Sequence, residues 1–104
     1  MTGPTRHTAS LHLDEIRDKA GFLDRCARDL GFPEWFGRNW DALADCLRDL
    51  SWWGPQGEGF VLRVHGWEAF RTAAPEAAAT AAEVFTEATE HWAGRGTPLT
   101  VHYE

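Results

Sequence analysis

The sequence predicts an α/β protein in which a small three-stranded parallel sheet packs against about four helices. Short apolar stretches of strand length lie near the start, middle and end of the 104-residue chain, and the segments between them have helical periodicity. Strands separated by helices favour parallel pairing through right-handed crossovers. A chain of this length is typical of one domain and buries roughly 65% of its unfolded surface. We expect residues 1–7 to be disordered and residues 8–104 to form the single domain.

The first two elements follow from local patterns. Weak alternation of apolar residues over 8–13 predicts a strand. Apolar residues at helical spacing then predict a helix over Lys19 to Leu30. Asp18 is in the position of its N-cap, and Gly31 is in the position of its stop.

A second helix is predicted over Trp40 to Leu50, with Asn39 as its cap. Its apolar side chains form one narrow stripe on a helical wheel, and its charged side chains occupy the adjoining face. Residues 51–59, which are rich in glycine and tryptophan, predict a turn-rich connector.

The second half of the chain contains the remaining strands and helices. The nearly continuous apolar run from Phe60 to Val64 is typical of a strand covered on both faces. Residues 66–73 predict a short helical turn. A long helix is predicted over 75–93, because it begins with a proline and is followed by a glycine. Leu99 to Tyr103 is the predicted last strand.

The charge balance narrows the class of partner. Sixteen acidic residues against ten basic ones give a formal net charge of −6, which argues against nucleic acid and anionic membranes and favours a basic protein. The first residues lack the apolar region of a secretory signal, and no stretch approaches the ~20 apolar residues of a membrane span. We therefore expect a cytoplasmic protein. Cys26 and Cys46 lie on apolar sides of predicted helices, which favours reduced core thiols over a disulfide.

The candidate binding surface is the acidic side of the second helix. Asp41 and Asp45 lie one turn apart, and Trp35 and Phe36 precede the same helix. Rings beside charged groups are the composition of a protein-binding hot spot. The alternatives are a solvated acidic face and rings that cover the edge of the core, and composition does not decide between them. Glu87 on the long helix would extend the negative surface if the two helices are neighbours.

The segment Asn39 to Leu47 reads Asn-Trp-Asp-Ala-Leu-Ala-Asp-Cys-Leu and resembles the barstar-family pattern Asn-Leu-Asp-Ala-Leu-Trp-Asp-Cys-Leu. The preceding Pro-Glu-Trp-Phe-Gly is similar to that family's Pro-Glu/Asp-Tyr-Tyr-Gly. The spacing matches without a gap over about sixteen positions, and weaker matches extend over nearly the whole chain after residue 8. The resemblance implies a barstar-like fold.

The resemblance also implies a function. Barstar-like proteins inhibit guanyl-specific ribonucleases of the extracellular type in a 1:1 complex, and an acidic helix face with an aromatic loop imitates substrate phosphate in the active site. The chain would then need no cofactor or metal and would be a monomer when unbound. The residues that correspond to the family's partner contacts are Trp35, Phe36, Asn39, Asp41, Ala44, Asp45 and Glu87.

Three departures from the family pattern lie in this region. Ala44 stands where the family usually has tryptophan, Phe36 lacks the hydroxyl of the usual tyrosine, and Arg38 replaces an acidic or neutral residue.

Two other functional classes remain as alternatives. The first is an enzyme in which Asp41, Asp45 and Glu87 form a carboxylate cluster for metal binding or acid–base chemistry. However, the sequence contains no glycine-rich phosphate loop, His-Glu-x-x-His or Cys-x-x-Cys pattern, and its five histidines are scattered. We therefore expect no catalysis. The second alternative is an acidic regulatory module that neutralises another basic protein or toxin.

Overall fold

The computed structural model describes residues 7–32, 36–49, 59–95 and 98–104. These described ranges contain three strands and four helices, and the predicted α/β class with a parallel three-stranded sheet is confirmed. In chain order the elements are β1 (His7–His12), α1 (Lys19–Leu30), α2 (Trp40–Asp49), β2 (Phe60–His65), α3 (Trp67–Ala73), α4 (Pro75–Ala93) and β3 (Leu99–Tyr103).

The predicted boundaries agree closely with these elements. His7, which we expected to be disordered, begins β1 because it pairs with Phe60 of the next strand. The short turn predicted over 66–73 is the seven-residue helix α3. Residues 1–6, Leu50 and most of the predicted connector lie outside the described residues.

Local capping explains where α1 begins and ends. The Asp18 carboxylate accepts a hydrogen bond of 2.7 Å from the backbone N–H of Gly21, as expected of an N-cap. Gly31 ends the helix with a φ of 68°, a left-handed conformation that glycine adopts without the steric cost of a Cβ atom.

The sheet has the order β1-β2-β3, with both neighbouring pairs parallel. Phe60, Leu62 and Val64 of β2 point into the core, whereas Arg63 between them is exposed. The expectation that this strand is covered on both faces is therefore wrong. Its second face carries the Arg63 guanidinium, which donates two hydrogen bonds, of 2.9 and 2.7 Å, to the carboxylate of Glu104.

The core lies between the helices and one face of the sheet. Phe22 of α1 is fully buried, and its ring centroid lies 5.2 Å from that of Phe70 in α3 and 6.2 Å from that of Phe85 in α4. Burying one such side chain stabilises the fold by roughly 1.5–3 kcal/mol. Three helices therefore share one aromatic centre.

The end of the chain fastens β3 to the turn between β2 and α3. The backbone N–H of Glu104 donates to the Val64 carbonyl at 2.8 Å, and the Glu104 carbonyl accepts from Gly66 and Trp67 at 3.1 and 3.3 Å. Gly66 has a φ of 76°, and a Cβ atom there would lie 2.8 Å from the backbone nitrogen of Asp14. A side chain is thus excluded at this turn by both conformation and space. No helix in the described part of the chain is long and apolar enough to cross a membrane.

Candidate partner-binding surface

The start of α2 is set by Asn39. Its side-chain oxygen accepts a hydrogen bond of 2.7 Å from the backbone N–H of Ala42, and its carbonyl accepts one of 3.0 Å from Leu43. This is the bonding pattern of an N-cap, as the sequence predicted. Asn39 remains exposed. Asp41 follows in the first helical turn, where the helix dipole favours a negative charge.

Helical periodicity divides the remaining side chains of α2 between the core and solvent. Leu43, Cys46 and Leu47 are buried at 0 to 2% exposure. The exposed side carries three carboxylates and one guanidinium, and we call it the acidic face of α2: Asp41, Asp45, Arg48 and Asp49. The carboxylates of Asp41 and Asp45 are therefore available to a partner and do not serve the core.

Asp45 forms an ion pair within the helix. Arg48 Nη2 donates to Asp45 Oδ1 at 2.5 Å, and the two side chains are 48% and 64% exposed. The i,i+3 spacing in the sequence permits this contact. The central carboxylate of the acidic face is thus both accessible and already in contact with a cation.

Arg38 precedes α2 and is held by a different helix. Its φ is 52°, in the left-handed region, and its Nε lies 3.5 Å from Asp24 Oδ1 of α1. Both side chains are more than half exposed. The positive charge that the sequence places in this loop is therefore paired with α1.

Helices α2 and α4 lie side by side and run in the same direction. Near their starts, Trp40 of α2 lines a surface cavity together with Ala77 and Thr80 of α4. Near their ends, the indole Nε1–H of Trp92 donates a buried hydrogen bond of 2.7 Å to the Leu47 carbonyl. The two helices are therefore neighbours at both ends of α2.

Glu87 is an exposed residue of α4. It follows Thr80 by seven residues, or about two turns, and so projects from nearly the same side of the helix as this cavity-lining residue. Asp45 follows Trp40, the residue of α2 that lines the same cavity, by five residues. Both carboxylates therefore lie beyond the cavity, toward the C-terminal ends of their helices.

Of the two rings in the predicted aromatic loop, Phe36 is a core residue and Trp35 is outside the described part of the chain. Phe36 is only 4% exposed, and its ring meets that of Phe32 edge-on at a centroid distance of 4.8 Å. Phe36 therefore covers the edge of the core, which was one of the alternatives drawn from the sequence. The expectation that its ring contacts a partner does not fit this burial. Trp35 lies outside the described residues.

Trp40 is a half-buried ring beside the acidic face of α2. The sequence predicts it as part of the apolar stripe of this helix. Its ring centroid lies 5.7 Å from that of Phe22, and Lys19 Nζ lies 5.8 Å from its ring centre. The position of Trp40 directly before Asp41 is the sequence signal that could have identified it as a ring of the candidate binding surface. Ala44, one turn further on, is also half-buried and packs against the core. This flank of the acidic face thus has one large ring followed by a small side chain.

The negative field of the acidic face reaches the buried thiol beneath it. Burial, followed by the charges of Asp45 and Asp49, raises the pKa of Cys46 to about 11. Burial and then Asp29 raise the pKa of Cys26 well above its ordinary value. Both thiols are core groups, as predicted, and remain protonated near neutral pH. Within the described ranges, no group of three or more His, Cys, Asp or Glu residues has a geometry suited to a metal ion.

Comparison with known families agrees with this geometry. The family model described as "Barstar (barnase inhibitor)" matches residues 6–104, which is nearly the whole chain. No curated protein matches the sequence. The matched region includes all seven elements of the fold, the acidic face of α2 and Glu87 of α4. The chain belongs to the barstar family.

Proposed function

We propose that this protein inhibits a guanyl-specific ribonuclease of the extracellular type by covering its active site with the acidic face of α2 and the adjoining side of α4. The observation that carries the proposal is the exposure of Asp41 and Asp45 on one face of α2, a helix that packs beside α4 with its exposed Glu87, in a chain of the barstar family. The complex would be 1:1, with a free form that is monomeric.

The chemistry of the contact follows from the charges. A ribonuclease binds phosphate with cationic side chains, and carboxylates on a rigid helix can satisfy the same donors with short, charge-assisted hydrogen bonds. Asp45 is the central group of this surface, with Asp41 one turn before it and Glu87 across on α4. Asn39 extends the surface at the start of α2 through its side-chain amide.

Preorganisation favours this use of the carboxylates. The cap at Asn39 and the bond between Trp92 and Leu47 fix the two ends of α2, so little backbone ordering is needed on binding. Phe36 supports the loop from the core side, and Ala44 leaves room for a partner group where the family usually places a tryptophan. Trp35 would supply the apolar contact that the buried Phe36 cannot.

Electrostatic attraction would speed the capture of the ribonuclease. The chain has a formal net charge of −6, and a negative surface raises the encounter rate with a cationic cleft at low salt. The protein would act as an inhibitor and not as an enzyme, without metal or cofactor. We place its action in the cytoplasm, because two buried thiols suit a reducing compartment.

The test is titration calorimetry of the protein against a panel of guanyl-specific ribonucleases, with inhibition of RNA cleavage as the second readout. Asp45→Ala should weaken the complex far more than Asp49→Ala, a matched control that removes the same charge from the last turn of the same helix. Equal losses would mean that only net charge matters. If the folded protein binds none of the panel, the alternative of a module that neutralises another basic protein or toxin takes its place.

A further inference from the structure

We infer that Arg48 is a specificity-determining residue of the partner surface, because its guanidinium occupies the position on Asp45 that a cation of the ribonuclease must take. Binding would then exchange one cation for another on the same carboxylate. This inference rests on the proposed function and concerns the selection of the partner at that same surface.

The contact itself supports an exchange. Arg48 Nη2 lies 2.5 Å from Asp45 Oδ1 and occupies one acceptor position of this carboxylate, so an incoming donor competes with the guanidinium for that position. The Arg48 side chain is 48% exposed, which gives it solvent to move into. Exposed pairs one helical turn apart are weak, so the exchange has a small energetic cost.

The charge of Arg48 has a second consequence after the exchange. Arg48 belongs to the acidic face of α2. Its guanidinium therefore remains close to the cationic partner after it leaves Asp45. A cleft that is cationic throughout would repel it. A ribonuclease that also presents an acceptor to the released guanidinium would be favoured over one that does not, which is how an internal counter-ion selects among similar partners.

A second arginine offers a matched control. Arg71 of α3 pairs with Glu68 at the same i,i+3 spacing, with Nη2 2.6 Å from Glu68 Oε1, and its side chain is 57% exposed. This pair lies on a helix that contributes nothing to the proposed surface. Arg71→Gln therefore removes the same charge from the same kind of pair, so it reports the effect of net charge alone.

The experiment uses the ribonuclease that the wild-type protein binds most tightly. Dissociation constants and association rates are measured by surface plasmon resonance at about 0.1 and about 0.5 M salt for wild type, Arg48→Gln and Arg71→Gln. Arg48→Gln should bind about two- to fivefold more tightly than Arg71→Gln, the range expected for an exposed ion pair. The difference should persist at high salt, because a contact pair is screened less than a distant charge. Circular dichroism confirms that each variant is folded.

A double-mutant cycle separates exchange at Asp45 from other effects. In an Asp45→Asn background, Arg48→Gln should tighten binding less than in the wild type, because the pair is absent and only the repulsion between Arg48 and the partner remains to be relieved. Equal affinities of Arg48→Gln and Arg71→Gln, or weaker binding by Arg48→Gln, would overturn the inference and leave the proposed function standing. A wild-type protein that binds no ribonuclease would overturn both.

Discussion

The indole N–H of Trp92 donates a hydrogen bond of 2.7 Å to the carbonyl oxygen of Leu47, and this bond is buried. Leu47 lies in the last turn of α2, where backbone carbonyls have no partner within the helix. Trp92 also packs on Phe60 of the central strand, at a centroid distance of 5.6 Å. One side chain therefore fixes the end of the acidic helix relative to both α4 and the sheet.

The first prediction concerns this bond. Trp92→Phe keeps most of the ring packing but leaves the Leu47 carbonyl buried without its donor, which should lower the free energy of unfolding by about 1–3 kcal/mol. Urea denaturation followed by circular dichroism measures the change. Trp67→Phe is the control, because Trp67 is a buried ring that packs on Phe70 and Tyr103. Equal losses at the two positions would show that ring size matters and the hydrogen bond does not.

A second prediction concerns Asn39 as the N-cap of α2. Asn39→Ala removes the acceptor for Ala42 N–H and should lower stability by about 1 kcal/mol, or about 4–8 °C in Tm for a domain of this size. Asn39→Asp should retain the cap and the stability, because a carboxylate also accepts this bond. Thermal melts of both variants test this, and a large loss of stability in Asn39→Asp would contradict it.

Local signals account for most of the fold that the sequence predicts. Asp18 and Asn39 cap their helices through hydrogen bonds to N–H groups three residues away, and Pro75 begins α4 as a proline at the first helical position is expected to do. These features depend only on neighbours in the chain, so the sequence contains the information. The boundaries of α1 and α4 follow for the same reason.

The errors concern burial, which depends on distant residues. The open face of β2 was missed because Phe60 to Val64 contains a single charged residue, Arg63, whose carboxylate partner Glu104 lies 41 residues away in sequence. The sequence predicts a surface ring at Phe36, because the packing of Phe36 against the Phe32 ring depends on the folded chain and not on composition. The contact between Asp45 and Arg48 could be predicted from the sequence, because the two residues are three positions apart on one helix.

The third prediction is a pH dependence at the end of the chain. The hydrogen bonds from Arg63 are the main cause that lowers the pKa of the Glu104 carboxyl, and the charges of Arg63, His65 and His102 add to them. A pKa lowered in the folded state contributes stability above the ordinary carboxyl pKa, and this contribution is lost as the pH falls through the lowered value.

Glu104→Gln should therefore reduce stability at pH 7, and the difference from wild type should shrink as the pH falls through the lowered pKa of the wild-type carboxyl. Urea denaturation of both proteins from pH 3 to pH 7 measures the difference. A gap between wild type and variant that stays constant over this range would contradict the ionic origin of the effect.

The last prediction uses Cys46 as a reporter of the acidic face. Its pKa of about 11 is caused first by burial and then by the charges of Asp45 and Asp49. The thiol should therefore alkylate far more slowly than an exposed cysteine at pH 8, because the thiolate is the reactive form. Stability should also fall as the pH rises above the ordinary thiol pKa of about 9 through 11, because the unfolded state releases the proton first.

Alkylation of Cys46 with iodoacetamide, followed by peptide mass spectrometry, distinguishes this thiol from Cys26. Asp45→Asn should lower the pKa of Cys46 and raise its alkylation rate, whereas Asp41→Asn, the matched loss of one charge on the same face, should change it less. Because burial is the larger cause, both variants should still react more slowly than the urea-unfolded protein. Equal rates in the two variants would show that the field of Asp45 does not reach the thiol. A faster rate in Asp45→Asn alone would show that the carboxylate proposed to bind the ribonuclease keeps its charge at the surface of the unbound protein.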